Sequence, residues 1–166
     1  MILDVLDVPH PLLKTRCHLV EPDLDGLSAF IDDILETLYH YPRCVGLAAN
    51  QVGKPWRVIA VDASRIDKPG TQHGLVVLLN PWISARSSPS LLREGCLSLP
   101  HYTGNVLRSA AVVIHGKDRA GNVVEVKAEG FEAVVFQHEL DHLDGFVFLD
   151  RVASLETDVF RRKKYC

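Results

Sequence analysis

Along residues 24–38 the apolar positions Leu24, Leu27, Phe30, Ile31, Ile34, Leu35 and Leu38 recur at three- and four-residue steps. That spacing predicts an amphipathic helix, which Pro42 ends. The first 22 residues hold Pro9, Pro11 and Pro22 and read as an extended segment lying on the body. After the helix, residues 45–53 form a glycine-punctuated loop. Residues 57–61 and 75–79 are short apolar runs of buried-strand type, the second closed by Asn80-Pro81. Residues 106–114 predict a further strand. Asp118 to Asn122 is a turn, and beyond it Val124, Val126 and Ala128 alternate with Glu125 and Lys127 as in a half-buried strand. From Phe131 to about Asp144 the pattern is helical and stops at Gly145. A last helix is expected from Ser154 towards Lys163. Strands followed by a helix predict an α+β fold. Its antiparallel or mixed sheets would pack around a central helix, with an N-terminal helix and a short C-terminal one.

Length and composition narrow the class. A chain of 166 residues, 47% apolar, suits one domain over residues 1–166 with a core that needs no staples. A net charge of −3 gives no case for nucleic-acid specificity. The basic run Arg161-Arg162-Lys163-Lys164 reads as a solvated helix end, with transient ribosome contact left open. No apolar run approaches the roughly 20 residues of a transmembrane helix. The start, Met-Ile-Leu-Asp-Val-Leu-Asp, has no basic region and is broken by Asp4 and Asp7, unlike a signal peptide. Cys17, Cys44, Cys96 and Cys166 form no Cys-x-x-Cys pair, so a reducing, cytoplasmic setting is expected.

The chemistry concentrates at residues 137–142, Gln-His-Glu-Leu-Asp-His. On a helix, His138 and His142 share a face and can aim two imidazoles at one metal ion, with Glu139 beside them as an acid/base. The bland alternative is an exposed helix face that happens to carry two histidines and an acid. Val134, Val135 and Phe136 argue instead for a helix inserted into the core, where imidazoles and carboxylates need partners. Two histidines require a third ligand, since catalytic sites take three protein ligands and leave one position open. A cysteine would serve as a thiolate, although a lone cysteine is otherwise a small buried hydrophobe.

Three stretches together resemble the peptide deformylases. Cys44-Val45-Gly46-Leu47-Ala48-Ala49-Asn50-Gln51 is similar to that family's first motif, Glu94-Gly95-Cys96-Leu97-Ser98 to its second, and residues 137–145 to its third. The order matches and the likeness runs the length of the chain. The resemblance implies Cys96 as third ligand beside His138 and His142, and Glu139 as general acid/base. It implies Gln51 and the backbone N–H of Leu97 as the oxyanion site, and Gly46 as a contact to the substrate backbone. Glu94 is expected among the substrate-site residues, and Val45, Val134 and Val135 along an apolar pocket for methionine. The implied reaction removes the formyl group from N-formylmethionyl peptides of nascent chains. The implied cofactor is one divalent ion, Fe²⁺ in the cell, with Zn²⁺, Ni²⁺ or Co²⁺ also suited to the ligand set.

Two positions depart from the family pattern. Cys44 stands where the family has a glycine, and Thr103 where many relatives carry a peptide-binding arginine. Cys44 would narrow the pocket, offer a redox-sensitive thiol, or point away. His101, which follows the second motif, is placed to rim the cleft. These departures keep two rival readings in view: an amide hydrolase of the same scaffold with a changed acyl or peptide substrate, and a non-catalytic binding relative. Retention of Glu139, Gln51 and the three proposed ligands argues against the second.

Overall fold

The computed structural model describes residues 1–163. Five strands form one sheet in the order β1-β2-β3-β6-β7: β1 (Gly46–Ala48), β2 (Val58–Val61), β3 (Val76–Arg86), β6 (Ala111–Lys117) and β7 (Val123–Glu129). A second sheet has the order β4-β5-β8: β4 (Pro89–Cys96), β5 (Leu99–Ser109) and β8 (Val159–Arg161). All named strand pairs are antiparallel. Two α-helices, α1 (Leu27–His40) and α2 (Phe131–Leu143), complete the frame. The α+β expectation holds, with α2 at the centre.

The five-stranded sheet is covered on both faces. On β2, Val58 and Ala60 pack with Leu27, Phe30, Ile31, Ile34 and Leu38 of α1. Ile59 and Val61 join Ala133, Val135, Phe136, Leu140 and Leu143 of α2 on the other side. Side chains alternate along a strand, so a strand buried on both faces reads as an unbroken apolar run, as here. Helix α2 has almost no solvent face: every residue but Phe131 and Asp141 is buried. It stops where Gly145 takes φ 84° and its N–H bonds to the His142 carbonyl. Helix α1 starts at Leu27 instead of Leu24, because Gly26 at φ 78° sets the entry and leaves Leu24 in the preceding turn.

Several sequence expectations are corrected. Strand β3 does not end at Asn80-Pro81. Asn80 adopts φ 53° and both donates to and accepts from the Val20 backbone, and the β3–β6 register shifts between Leu79 and Trp82. The pair therefore marks a bulge, a place where proline is tolerated within a sheet. Residues 106–114 belong to two strands, β5 and β6, separated at Ala110. Strand β4 was not anticipated. The expected C-terminal helix is replaced by a turn and β8. Ser154 bonds to Thr157 and Asp158, and Val159 and Phe160 then pair with Gly104 and Thr103, satisfying the edge of β5. The basic run is thus partly a sheet edge; Lys164 and Cys166 lie outside the described residues. Among the described residues, no helix is long and apolar enough to cross a membrane.

Candidate metal centre and cleft

The β4–β5 hairpin closes tightly: Cys96 pairs with Leu99, leaving Leu97 and Ser98 as the turn. This brings Cys96 and the Leu97 N–H to the end of the hairpin that meets α2. The Cys96 Sγ lies 3.3 Å from His142 Nε2, which lies 3.2 Å from His138 Nε2. Among the described residues, this is the one group of three His, Cys, Asp or Glu residues whose ligand atoms converge, all within 4.8 Å of one another. Ligands about 2.0–2.3 Å from a tetrahedral ion stand roughly 3.3–3.8 Å apart, so the 3.3 and 3.2 Å separations are close to what a metal needs.

The surroundings favour a cation. His138 Nδ1 is 2.8 Å from a Glu94 carboxylate oxygen, which leaves Nε2 to face the centre. Burial disfavours a charged His138, but Cys96 and Glu94 outweigh it and raise its pKa well above the usual value. The same two groups would stabilise a divalent ion. Burial pushes His142 well below its usual range, so it is a neutral imidazole. Burial would also raise Glu94, but bonds from Arg108 and His138 lower it to about 2. Both Glu94 oxygens are taken: Arg108 Nε and an Arg108 terminal nitrogen donate at 2.7 and 2.9 Å. Arg108 also donates to Asp141 on α2 at 2.6 Å.

Glu139 has a different environment. It is 4% exposed, and its Oε2 has no hydrogen-bond partner among the described residues. Burial raises its pKa to about 7, so it can take and return a proton near neutrality. Its carboxylate lies against Gly46, where an added Cβ would stand 2.5 Å from Oε1. Gln51 is oriented by the backbone: its Oε1 accepts from the Ala48 N–H at 2.9 Å. Its Nε2 therefore points to Cys96 Sγ at 3.4 Å and Ser98 Oγ at 3.1 Å.

The centre opens into a cavity of roughly 680 Å³, whose apolar lining includes Val45, Ile66, Phe131, Val134 and Val135. Gly46, Gln51, Glu94, Cys96, Leu97, His138 and Glu139 also line it; His142 sits behind them at 1% exposure. All the sequence-derived site residues therefore meet at one cleft, although Glu94 has both oxygens engaged by protein groups. Cys44 lines the cleft and donates from Sγ to the Gly46 carbonyl at 3.2 Å. Burial pushes its thiol up to about 12, which keeps it protonated and unreactive. Thr103 lines the cleft, whereas His101 is not among the lining residues. Arg43, Lys68, Arg93 and Arg162 also line it and were not anticipated. Arg162 stands in the basic run, which carries no sign of a place in the cleft, because only the pairing of β8 with β5 brings it there.

The model of the polypeptide deformylase family matches residues 2–158. A peptide deformylase of Syntrophobacter fumaroxidans is 44% identical over 98% of this chain and 93% of its own. The crystal structure of a peptide deformylase from Legionella pneumophila superposes with TM-score 0.84 at 33% identity, over 94% of this chain and 89% of that one. A Met-Ala-Ser-bound class I type b peptide deformylase from Acinetobacter baumannii gives TM-score 0.83 at 32% identity, over 92% and 99%.

Proposed function

The chain belongs to the polypeptide deformylase family, metal-dependent hydrolases that remove the N-terminal formyl group from formylmethionyl peptides, and from that premise we propose how its own residues divide the work. The observation that carries the reading is the convergence of Cys96, His138 and His142, with Glu139 beside them and Gln51 aimed at the same point. Cys96, His138 and His142 hold the ion, and Glu94 holds His138 in the tautomer that presents Nε2. Glu94 thus serves the reaction through His138 instead of touching the peptide.

A bound divalent ion acidifies water and polarises the formyl carbonyl. The protein supplies the rest. Negative charge develops on the carbonyl oxygen, and the side-chain amide of Gln51 and the backbone N–H of Leu97 donate to it. Because the Ala48 N–H holds Gln51 Oε1, the donating end already faces the centre and needs no reorganisation. Glu139 accepts the proton of the attacking water and delivers it to the leaving nitrogen, a shuttle suited to a carboxyl poised near neutrality. Val45, Val134 and Val135 receive the methionine side chain, and the Gly46 backbone aligns the peptide. Fe²⁺ is the ion of this reading, in a cytoplasmic enzyme working as one catalytic unit on nascent chains. Arg161 and Lys163, exposed beside β5, leave a basic surface for brief contact with the ribosome.

The test is formate release from formyl-Met-Ala-Ser by anaerobically purified protein of measured metal content, with acetyl-Met-Ala-Ser in parallel. The reading expects formate in step with metal content and an inert acetyl peptide. Cleavage of the acetyl peptide alone would favour an altered acyl specificity.

A further inference from the structure

The chain carries a net charge of −3, yet its cleft presents charge of the opposite sign. Arg43, Lys68, Arg93 and Arg162 line the cavity. The two acids that line it are withdrawn: Glu94 is held by Arg108 and His138, and Glu139 is buried against Gly46. Asp7 lies in an adjoining recess, which Arg162 also lines.

Of the four cations, Arg162 lies against the stretch that carries Cys96. Its backbone N–H bonds to the His101 carbonyl at 2.8 Å, continuing the pairing of β8 along β5. Its guanidinium lies over Gly95, the residue before Cys96, where any side chain on Gly95 would collide with it. Arg93 stands back, with its guanidinium 3.6 Å from the centre of the Phe160 ring and bonded to Asn105. Lys68 rests 4.8 Å from the centre of the Phe131 ring.

We propose that Arg162 binds an anionic group of the substrate, a carboxylate within the two residues that follow the formylmethionine, so that the enzyme prefers early acidic over early basic sequences. The inference rests on the deformylase reading of the site. A strand advances about 3.4 Å per residue, so a group above Gly95 lies one or two residues along from the centre. An extended peptide with its formyl group at the centre brings its second and third residues into that range. Guanidinium presents paired donors that match a carboxylate, and in a cleft partly screened from water such a pair exceeds its worth on an open surface. Arg43, Lys68 and Arg93 add a field of the same sign.

The test compares kcat/KM on amide-capped formyl-Met-Ala-Glu, formyl-Met-Ala-Gln and formyl-Met-Ala-Lys, and on the matching peptides with the charge at position two. Formyl-Met-Ala and its amide are added to separate a side-chain carboxylate from a chain-end one. The wild-type enzyme should favour Glu over Lys by roughly 3–10-fold, the range of a partly exposed ion pair, and the ratio should shrink as salt rises. In Arg162→Gln most of the ratio should be lost, leaving only the weak field of Arg43, Lys68 and Arg93, while Arg162→Lys keeps more of it. The ratio is independent of the folded fraction, so a poorly folding variant still reports. Preference for the free acid of formyl-Met-Ala with none for Glu supports the site with the chain end as its ligand. A wild-type preference for neither kind of carboxylate, or one unchanged in Arg162→Gln, overturns the inference while leaving deformylation intact. Absence of formate from every peptide overturns the deformylase reading instead.

Discussion

Helix α2 and the β4–β5 hairpin each supply part of the metal centre, but different forces hold them. His138 and His142 ride on a helix buried against the five-stranded sheet among Phe136, Leu140 and Leu143. Cys96 belongs to a sheet whose own buried cluster, among the described residues, is Cys96, Val106 and Phe148, while Leu91 and Leu107, cross-strand partners, are about 60% exposed. What ties the hairpin to the helix is polar: Glu94 on β4 and Arg108 on β5 reach His138 and Asp141 on α2. Apolar packing is broad and tolerant of small shifts, whereas this network is directional and sets the distance across which the three ligands meet. One side of the site is positioned by burial, the other by charge.

The comparison breaks most completely when the hairpin's ligand is removed. Cys96→Ala should lose the metal and reduce formate release to background while the protein stays folded, as metal analysis and circular dichroism would show. Chelation of the wild type should have the same effect, reversed by adding Fe²⁺ or Zn²⁺. Gly46→Ala comes next. Its methyl group would displace the Glu139 carboxylate without touching a ligand, and kcat should fall on the order of 10²-fold with metal content unchanged.

The polar tie is tested by Arg108→Met, which leaves buried Glu94 with His138 alone and Asp141 with Arg151 alone. This should cost about 3–5 kcal/mol in urea unfolding, whereas Lys14→Met, which breaks the more exposed pair with Asp150, should cost no more than about 1. The same tie predicts a pH dependence. Glu94 is lowered in the folded state, so its contribution is complete above the ordinary carboxyl range near 4.3 and is lost as pH falls towards about 2. Unfolding measured at pH 7, 4 and 3 should show this loss in the wild type and a shallower one in Glu94→Gln.

The smallest effect is expected at Cys44. Cys44→Ala removes one neutral hydrogen bond to the Gly46 carbonyl and should change deformylation by less than about tenfold. Iodoacetamide should leave the wild-type Cys44 unmodified at pH 7, as read by peptide mass mapping.

The two sides also differ in how far they could be read from sequence. The spacing of His138 and His142 defines its own helical face, and the apolar residues around it announce burial, so α2 and its chemistry are local information. Residues 45–53, expected as a loop but holding strand β1, and the Glu-Gly-Cys-Leu-Ser stretch acquire roles only through likeness to a family. Cys96 and Gln51 meet across 45 residues of sequence, and no periodicity encodes that contact. Strand β4 is silent in the sequence because its residues are largely exposed, so it lacks the alternating apolar pattern. The C-terminal segment reads as a helix in sequence because its stabilising partner, the open edge of β5, lies some 55 residues earlier. That long-range pairing is also what delivers Arg162 to the cleft.

The central claim is that the metal is held by Cys96, His138 and His142 while Glu139 moves the proton. Glu139→Gln tests it most directly when metal content and formate release from formyl-Met-Ala-Ser are measured on one preparation. Wild-type metal content is expected, with formate release lowered by about 10²–10⁴-fold. Wild-type turnover in a fully metallated Glu139→Gln enzyme would contradict it.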